Sequence, residues 1–359
     1  MIGCQQNEHD GVRVNYMLEK LGLTPTPIEN ADLIVVVACS VRQTAVDRVF
    51  GLVKNNPDKK IILTGCVLDH DKKKFRLKKV VFWDIEKPED LEKILDIKDS
   101  KKASRFLAEG QKISSSVPIM SGCNNFCTYC ATAITRGRER SRKMEEIIRD
   151  VNNLIKQGQK EIILLGQNVN SYRISPSDVI LHSMRDPKKR DSRFRGNDNT
   201  RKSDFTKLLE KLNELDGDFK ISFMSNHPKD MTDDIIEAVA SLPKIKKEIH
   251  LPLQSGSDKI LREMNRPYTI QRYLDIVDNL KFKIQNLKLT TDVIVGFPGE
   301  TEEDFQKTVD LFKKVNFDSA YINKYSPRKD TKAFKLGDPI PWSEKQRRWR
   351  LLNETVNKK

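Results

Sequence analysis

Six cysteines carry most of the chemistry this sequence can offer: Cys4, Cys39, Cys66, Cys123, Cys127 and Cys130. The last three form the tight run Cys-Asn-Asn-Phe-Cys-Thr-Tyr-Cys. Three disulfides would be the ordinary reading of six cysteines in a small secreted protein. They fit poorly here, because no basic and then apolar leader opens the chain, and a cytosolic chain keeps its thiols reduced. Structural zinc wants four ligands, usually as two pairs, and the run offers three thiols with no nearby His. Three thiolates on a cubane iron–sulfur cluster leave one iron open to a further ligand, and thiolate ligation is the ordinary way to hold such clusters.

The spacing Cys123-x3-Cys127-x2-Cys130, with Tyr129 just before the last cysteine, resembles the signature of radical S-adenosylmethionine (SAM) enzymes. The other three cysteines share a setting rather than a spacing. Cys39 ends the run Ala31 to Cys39, Cys66 ends Lys60 to Cys66, and Cys4 follows Met1-Ile2-Gly3. Such β-branched runs read as buried parallel strands with helices between them, for example from Gly11 to Leu21. In an open α/β sheet, ligands gather beyond the carboxyl ends of strands, so three strand-end cysteines are expected to converge on one edge. The bland alternative is three unrelated cysteines, each packed as a small hydrophobe.

The elements that must position these residues fall into two groups. Residues 1–100 read as a doubly wound α/β domain, with a further strand at Val80–Trp83 and a helix at Pro88–Leu95. Residues 101–117 read as a charged linker. From 118 to 335, strand-like runs alternate with amphipathic helices: Glu161–Leu165, Lys220–Met224, Glu248–Leu253, Lys288–Val295 and Ser319–Asn323. The helix from Met144 to Gln157 has a 3.6-residue apolar stripe of Ile147, Ile148, Val151, Leu154 and Ile155. This alternation predicts a partial (β/α) barrel of the TIM type, whose site lies at the carboxyl ends of its strands. Polar or glycine residues follow each strand there: Gly166-Gln167-Asn168, Ser225-Asn226-His227-Pro228, Gln254-Ser255-Gly256 and Gly296-Phe297-Pro298-Gly299-Glu300. His227 alone is more often a structural hydrogen-bonder than a catalyst. Residues 173–202 hold nine basic and four acidic residues with no apolar period, which reads as a solvated, disordered insert. Residues 336–359 remain as a short C-terminal segment.

Charge narrows the partners. The 359 residues carry 65 Lys and Arg against 51 Asp and Glu, a net +14 that suits a polyanion as well as plain solubility. The longest clear apolar run, Leu33 to Cys39, has seven residues, far short of the roughly 18 a membrane span needs. Arg136, Arg138, Arg140 and Arg142 lie within eight residues of one another just past the cysteine run. A solvated charged loop is the plain reading, and phosphate contact is the sharper one, since arginine forks suit phosphate.

Taken together, Gly3-Cys4-Gln5-Gln6-Asn7, Cys39-Ser40-Val41-Arg42, Thr135 to Arg142, Leu165 to Tyr172, Ser225 to Pro228, His250 to Ser257 and Gly296 to Glu300 resemble the methylthiotransferases, most closely their bacterial MiaB-type branch. The resemblance implies transfer of a methylthio group to carbon 2 of N6-isopentenyladenosine at tRNA position 37. Relatives that act on threonylcarbamoyladenosine or on a ribosomal protein differ at Cys-Ser-Val-Arg and Gln-Asn-Val-Asn. An inactive iron–sulfur RNA-binding remnant is the rival from another class. By the same resemblance, Cys123, Cys127 and Cys130 hold a catalytic [4Fe-4S] cluster that binds SAM and generates a 5′-deoxyadenosyl radical. Cys4, Cys39 and Cys66 hold a second [4Fe-4S] cluster that supplies sulfur. Tyr129, Gly166, Gln167, Ser225, Gln254 and Gly296 are expected to line the SAM pocket, and the four arginines to bind RNA. The implied partners are the tRNA anticodon stem-loop and an electron donor such as flavodoxin or ferredoxin, with no membrane. The expected state is a cytoplasmic monomer. Two departures from the family pattern stand out. Only Met1 and Ile2 precede Gly3-Cys4, and Val37-Ala38 replaces the usual Asn-Thr before Cys39. The TRAM β-barrel that usually follows in the family is expected to be missing after Lys359.

Overall fold

The computed structural model describes residues 2, 5–39, 43–75, 80–96, 115–174 and 202–357. Cys4, Ser40 to Arg42, and 175–201 of the expected insert lie outside the described residues.

The amino-terminal part is a three-stranded parallel sheet, β1 (Leu33–Cys39), β2 (Lys60–Cys66) and β3 (Val80–Phe82), in that order. Ile2 adds a parallel bridge to Ala38 on the free edge of β1. Both faces of the sheet are covered, because alternate side chains of a strand point to opposite faces. Ile34, Val36 and Ala38 pack with Ala45, Val49 and Val53 of α2 (Gln43–Asn55) and with Phe75 of α3 (Asp69–Phe75). Val37, Ile62 and Trp83 pack on the other side with Val14 and Met17 of α1 (Gln5–Lys20) and Leu91 of α4 (Pro88–Leu95). Helix α1 begins at Gln5, six residues before the expected Gly11. Buried Asn7 explains part of the difference: a polar residue inside an apolar stripe hides the pattern, yet its Nδ2 donates to the Ala38 carbonyl at 2.9 Å.

The second part holds six parallel strands: β4 (Ser116–Pro118), β7 (Glu161–Leu165), β8 (Lys220–Phe223), β9 (Glu248–His250), β10 (Lys288–Val295) and β11 (Ser319–Lys324). They form two ladders, β4-β7-β8 and β9-β10-β11. The Ile221–Ile245 bridge joins them, so the six strands curve as one partial barrel. A two-stranded ribbon, β5 (Met120–Ser121) and β6 (Arg140–Ser141), flanks the cysteine loop. A short helix, α5 (Thr132–Thr135), follows the cysteine loop, and the outer layer has α6 (Met144–Lys156), α7 (Asp204–Asn213), α8 (Asp233–Ser241), α9 (Asp258–Glu263), α10 (Ile270–Lys283), α11 (Glu302–Val315) and α12 (Trp342–Val356). The stripe of α6 lands as expected, with Ile147, Val151 and Leu154 fully buried. Acidic Glu145 and Glu146 complement the helix amino terminus.

Strand β9 is shorter than the expected Glu248–Leu253. The Leu251 amide still donates to Thr290 O at 2.8 Å, but Leu253 N then turns to the Thr291 hydroxyl at 2.9 Å, and regular pairing lapses there. It resumes as a single bridge between Gln254 and Val293, with Gln254 N donating to Asp292 O at 2.8 Å. The chain thus arrives at the barrel mouth as irregular backbone, which is where a ligand can meet free peptide groups.

Candidate active site

Cys39 and Cys66 are register partners at the ends of neighbouring strands, and both are buried. Gly65 makes their approach possible: its φ is +91°, and a Cβ there would sit 2.7 Å from the Ala38 carbonyl oxygen. Two of the three cysteines expected at this edge are therefore brought together. Cys4, the third, lies outside the described residues, two positions along the chain from the bridged Ile2.

The second cysteine group follows β4 and β5. Cys130 N donates to Cys127 O at 3.0 Å, and Thr132 N to the Cys130 sulfur at 3.4 Å. Burial pushes the Cys123 thiol up to about 11, and the nearby Cys127 and Cys130 sulfurs push the same way. Burial, then Cys127, also raises Cys130. Three partly buried thiols in one loop, with Cys123 and Cys130 held against ionising, are a donor set suited to a cation, which reverses that penalty by binding their thiolates. Among the described residues no three His, Cys, Asp or Glu side chains converge tightly enough to grip a single metal ion. A cubane cluster is larger than one ion, so its ligands stand further apart.

The cysteine loop is cradled by a segment that sequence reading missed. Thr128 N donates to Met264 O at 3.0 Å, and Thr128 Oγ1 to Glu263 O at 2.8 Å. Asn265 Nδ2 reaches the carbonyls of Asn125 and Phe126 at 3.0 and 3.1 Å. Arg266 is buried beneath the loop. It donates to Pro252 O at 2.9 Å, to the Tyr268 hydroxyl at 3.1 Å and, from Nη1, to the Cys127 sulfur at 3.7 Å. Burial opposes its charge, but Tyr268, Tyr129 and Cys127 outweigh burial and raise its pKa. Arg266 lies 139 positions from Cys127, and no local pattern marks it.

The strand-end residues expected to line a SAM pocket lie just beyond β7, β8 and β10 and at the Gln254 bridge. Ser225 and Gln254 hold φ of +68° and +69°, and Phe126 of the cysteine loop holds +48°. The other described non-glycine residues with positive φ are all Asn or Asp, which tolerate it. Backbone strain at ordinary residues is thus confined to the barrel mouth, where function commonly stores it. Gly166 closes β7 against the Met120 side chain. Gly296, at φ +73°, has its Cβ direction filled by the stem of buried Lys345 from α12, so only its backbone is free to line a pocket. Its amide donates to Glu300 Oε2 at 2.6 Å, which Arg348 holds at 2.7 Å. Tyr129 packs against the small core of Phe297, Tyr325, Ile260 and Met264.

Four buried polar atoms on the loops after β7 and β8 have no partner: Gln167 Oε1, Asn168 Oδ1, Asn226 Oδ1 and His227 Nε2. The amide orientations are fixed by Asn168 Nδ2 donating to Asp230 at 2.7 Å and Asn226 Nδ2 to His250 O at 3.0 Å. Burial, Arg266 and Lys229 push the His227 pKa far down, so the ring is neutral. Its Nδ1 accepts from Lys229 N at 3.2 Å, which leaves Nε2 as a donor. Three acceptors and one donor without partners suit a ligand that carries amino, hydroxyl and carboxylate groups, because buried polar atoms are costly unless paired. The donor sets thus fit both a thiolate-held cluster and SAM.

The four arginines expected at RNA divide. Arg136 turns inward and donates from Nε to the Cys66 sulfur and from Nη2 to Asp10 Oδ2, each at 2.8 Å. Arg138 lies over the Phe126 ring at 4.3 Å. Arg142 bonds Pro118 O at 2.8 Å and Asp150 at 2.7 Å. Arg140, on the exposed face of β6, keeps its side chain in solvent among the described residues.

Comparison with known proteins agrees with this architecture. A family model described as the radical SAM superfamily matches residues 117–312, and one described as uncharacterized protein family UPF0004 matches residues 1–83. The tRNA-2-methylthio-N(6)-dimethylallyladenosine synthase of Clostridium botulinum (strain Okra / Type B1) is 41% identical over 99% of this chain and 80% of its own. The synthase of the same name from Carboxydothermus hydrogenoformans is 39% identical over 99% of this chain and 82% of its own. Among solved structures, the cobalamin-dependent S-adenosylmethionine radical enzyme OxsB superposes with a TM-score of 0.52 at 10% identity, over 96% of this chain and 50% of its own. The radical S-adenosylmethionine methyltransferase TsrM from Kitasatospora setae gives 0.52 at 12% identity, over 89% and 65%. These two likenesses concern the fold alone. With the cysteine geometry and the near full-length identity in hand, the chain belongs to the radical SAM superfamily and, within it, to the family of the tRNA-2-methylthio-N(6)-dimethylallyladenosine synthases.

Proposed function

We propose that this chain attaches a methylthio group to carbon 2 of N6-isopentenyl (dimethylallyl) adenosine at position 37 of tRNA. The observation that carries the reading is the near full-length likeness to synthases of that product. Carbon 2 of adenine bears an unactivated C–H bond with no useful acidity, so side-chain acid–base chemistry cannot open it. When bound, [4Fe-4S] clusters and SAM supply one-electron chemistry, sulfur and a methyl group. Cys123, Cys127 and Cys130 hold one cluster and, by giving it only three ligands, leave a position for SAM. Cys4, Cys39 and Cys66 hold the other. Gly166, Gln167, Ser225, Gln254 and Gly296 line the SAM pocket beside Tyr129, and the partnerless atoms of Gln167, Asn168, Asn226 and His227 meet its polar groups. Neutral His227 donates one hydrogen bond and moves no proton.

Arg140 contacts phosphate of the anticodon stem-loop from the rim, and Arg138 stacks on Phe126 to stiffen the same lip. The base is splayed out of its loop to reach the mouth, as single-stranded RNA permits. No described helix is long and apolar enough to cross a membrane. We place the enzyme in the cytoplasm as a monomer, reduced by flavodoxin or ferredoxin. The test is nucleoside analysis of tRNA from a host deleted for its own enzyme and supplied with this chain. The 2-methylthio nucleoside is expected. Its absence, with both clusters loaded, overturns the assignment.

A further inference from the structure

We infer that Arg136 is a positioning residue that joins the two cysteine groups and sets the reduction potential of the cluster held by Cys39 and Cys66. The inference rests on the two-cluster reading above. Arg136 stands six positions after Cys130 and directly after α5, and its amide bonds Thr132 O at 2.8 Å. Its side chain leaves the barrel and enters the amino-terminal domain. There one guanidinium makes two divergent bonds, Nε to the Cys66 sulfur and Nη2 to Asp10 of α1, both at 2.8 Å. The pair is largely shielded from water, with side-chain exposures of 12% for Arg136 and 4% for Asp10. Two donors at fixed angles, shared between a sulfur and a carboxylate, are a task for a planar fork and not for an ammonium.

Asp10 fixes the fork and balances its charge, so the group is held without leaving a lone buried cation. What remains toward Cys66 is an N–H···S bond. Such bonds draw electron density from a ligand sulfur and raise the potential of the cluster it holds. A parallel contact exists on the other side, where Arg266 reaches the Cys127 sulfur at the longer distance of 3.7 Å. Of these two guanidinium–sulfur contacts, the one made by Arg136 crosses between domains. Any movement of the Cys130 segment is transmitted to Cys66 through it.

The experiment compares the full chain with Arg136→Gln, Arg136→Lys and Asp10→Asn after anaerobic reconstitution. It reads iron content and a potentiometric titration followed by electron paramagnetic resonance. The parent and all variants are expected to bind about eight irons, as two four-iron clusters require. In Arg136→Gln the potential of the amino-terminal cluster falls while that of the SAM-binding cluster stays. Arg136→Lys recovers part of the fall. Asp10→Asn frees the fork and shifts the same cluster alone. An unchanged potential in Arg136→Gln with about eight irons overturns the inference and leaves the two-cluster reading standing. About four irons in the parent overturns both. If Arg136→Gln does not fold, Asp10→Asn decides, and an unmoved potential there overturns the inference.

Discussion

At the scale of single residues, the two cysteine groups predict different failures. Cys127→Ala removes one of the three proposed cluster ligands, beside the Arg266 contact, so SAM cleavage should drop to background, read as release of 5′-deoxyadenosine. Cys39→Ala leaves that group intact. It should keep part of the SAM cleavage yet give no methylthio product, read by nucleoside chromatography. Equal loss of both activities in Cys39→Ala would defeat the division of labour. Arg140 gives a second prediction. If it neutralises one phosphate, Arg140→Ala should reduce the slope of log affinity against log salt by about 0.7, as one lost contact to single-stranded RNA requires. Binding measured across a salt series checks it, and an unchanged slope would remove Arg140 from the interface. The arginine run also shows where sequence reading stops. Four arginines in eight residues look alike on paper, but Arg136 and Arg142 are spent on Cys66, Asp10, Pro118 and Asp150, and only a fold brings those partners near. The cysteine spacing, by contrast, is local and was readable outright.

At the scale of elements, the helix α11 start shows how a loop of the site is tied to the frame. Thr301 and Asp304 form a reciprocal capping box. The same Asp304 carboxylate accepts from Ser257 Oγ at 2.7 Å and Lys259 Nζ at 2.9 Å. It therefore pins the loop that follows Gln254. Burial works against its charge, but the bonds from Lys259, Ser257 and Thr301 overrule burial and hold its pKa below the ordinary value of 3.8. A depressed carboxylate contributes stability that is complete above its unfolded pKa and is lost as pH falls through the folded one. Asp304→Asn should therefore be less stable than the parent near neutral pH, and the gap should narrow as pH drops below about 4. Urea denaturation at several pH values checks it, and a gap that widens in acid contradicts it. Strands β1, β2, β7 and β10 were legible because their runs are long and β-branched. The early start of α1 and the lapse of β9 were not, since buried Asn7 and the Thr291 hydroxyl that takes Leu253 N act through partners distant in sequence.

At the scale of the whole molecule, the proposed reaction needs both cysteine groups at one mouth, and covalent linkage alone does not fix how two domains face each other. Arg136 is one tie. Arg328, just past β11, is another: Nη2 reaches Asp71 Oδ2 of α3 at 3.2 Å, and Nη1 reaches Gln43 Oε1 at the start of α2 at 2.5 Å. Gln43 lies four positions after Cys39 and Asp71 five after Cys66, so the barrel grips the chain just beyond each cysteine. Side-chain exposures of 6% for Arg328 and 4% for Asp71 put this pair in the regime where losing one partner is severe. A charge left alone in a buried site costs about 3–5 kcal/mol, although a pair replaced as a unit by apolar groups can be nearly neutral. Asp71→Ala should therefore lose about that much stability. Asp71→Ala combined with Arg328→Met should lose clearly less than the sum of the two single changes. Chemical denaturation of the four proteins in the cycle measures the coupling, and strict additivity would show that the tie carries no interdomain energy. Function supplies an independent readout, because the Arg328 side chain bonds Asp71 and Gln43 and not the loop of Cys123, Cys127 and Cys130. At a temperature where Asp71→Ala stays folded, SAM cleavage should persist while methylthio transfer falls, the signature of two sites that no longer face each other.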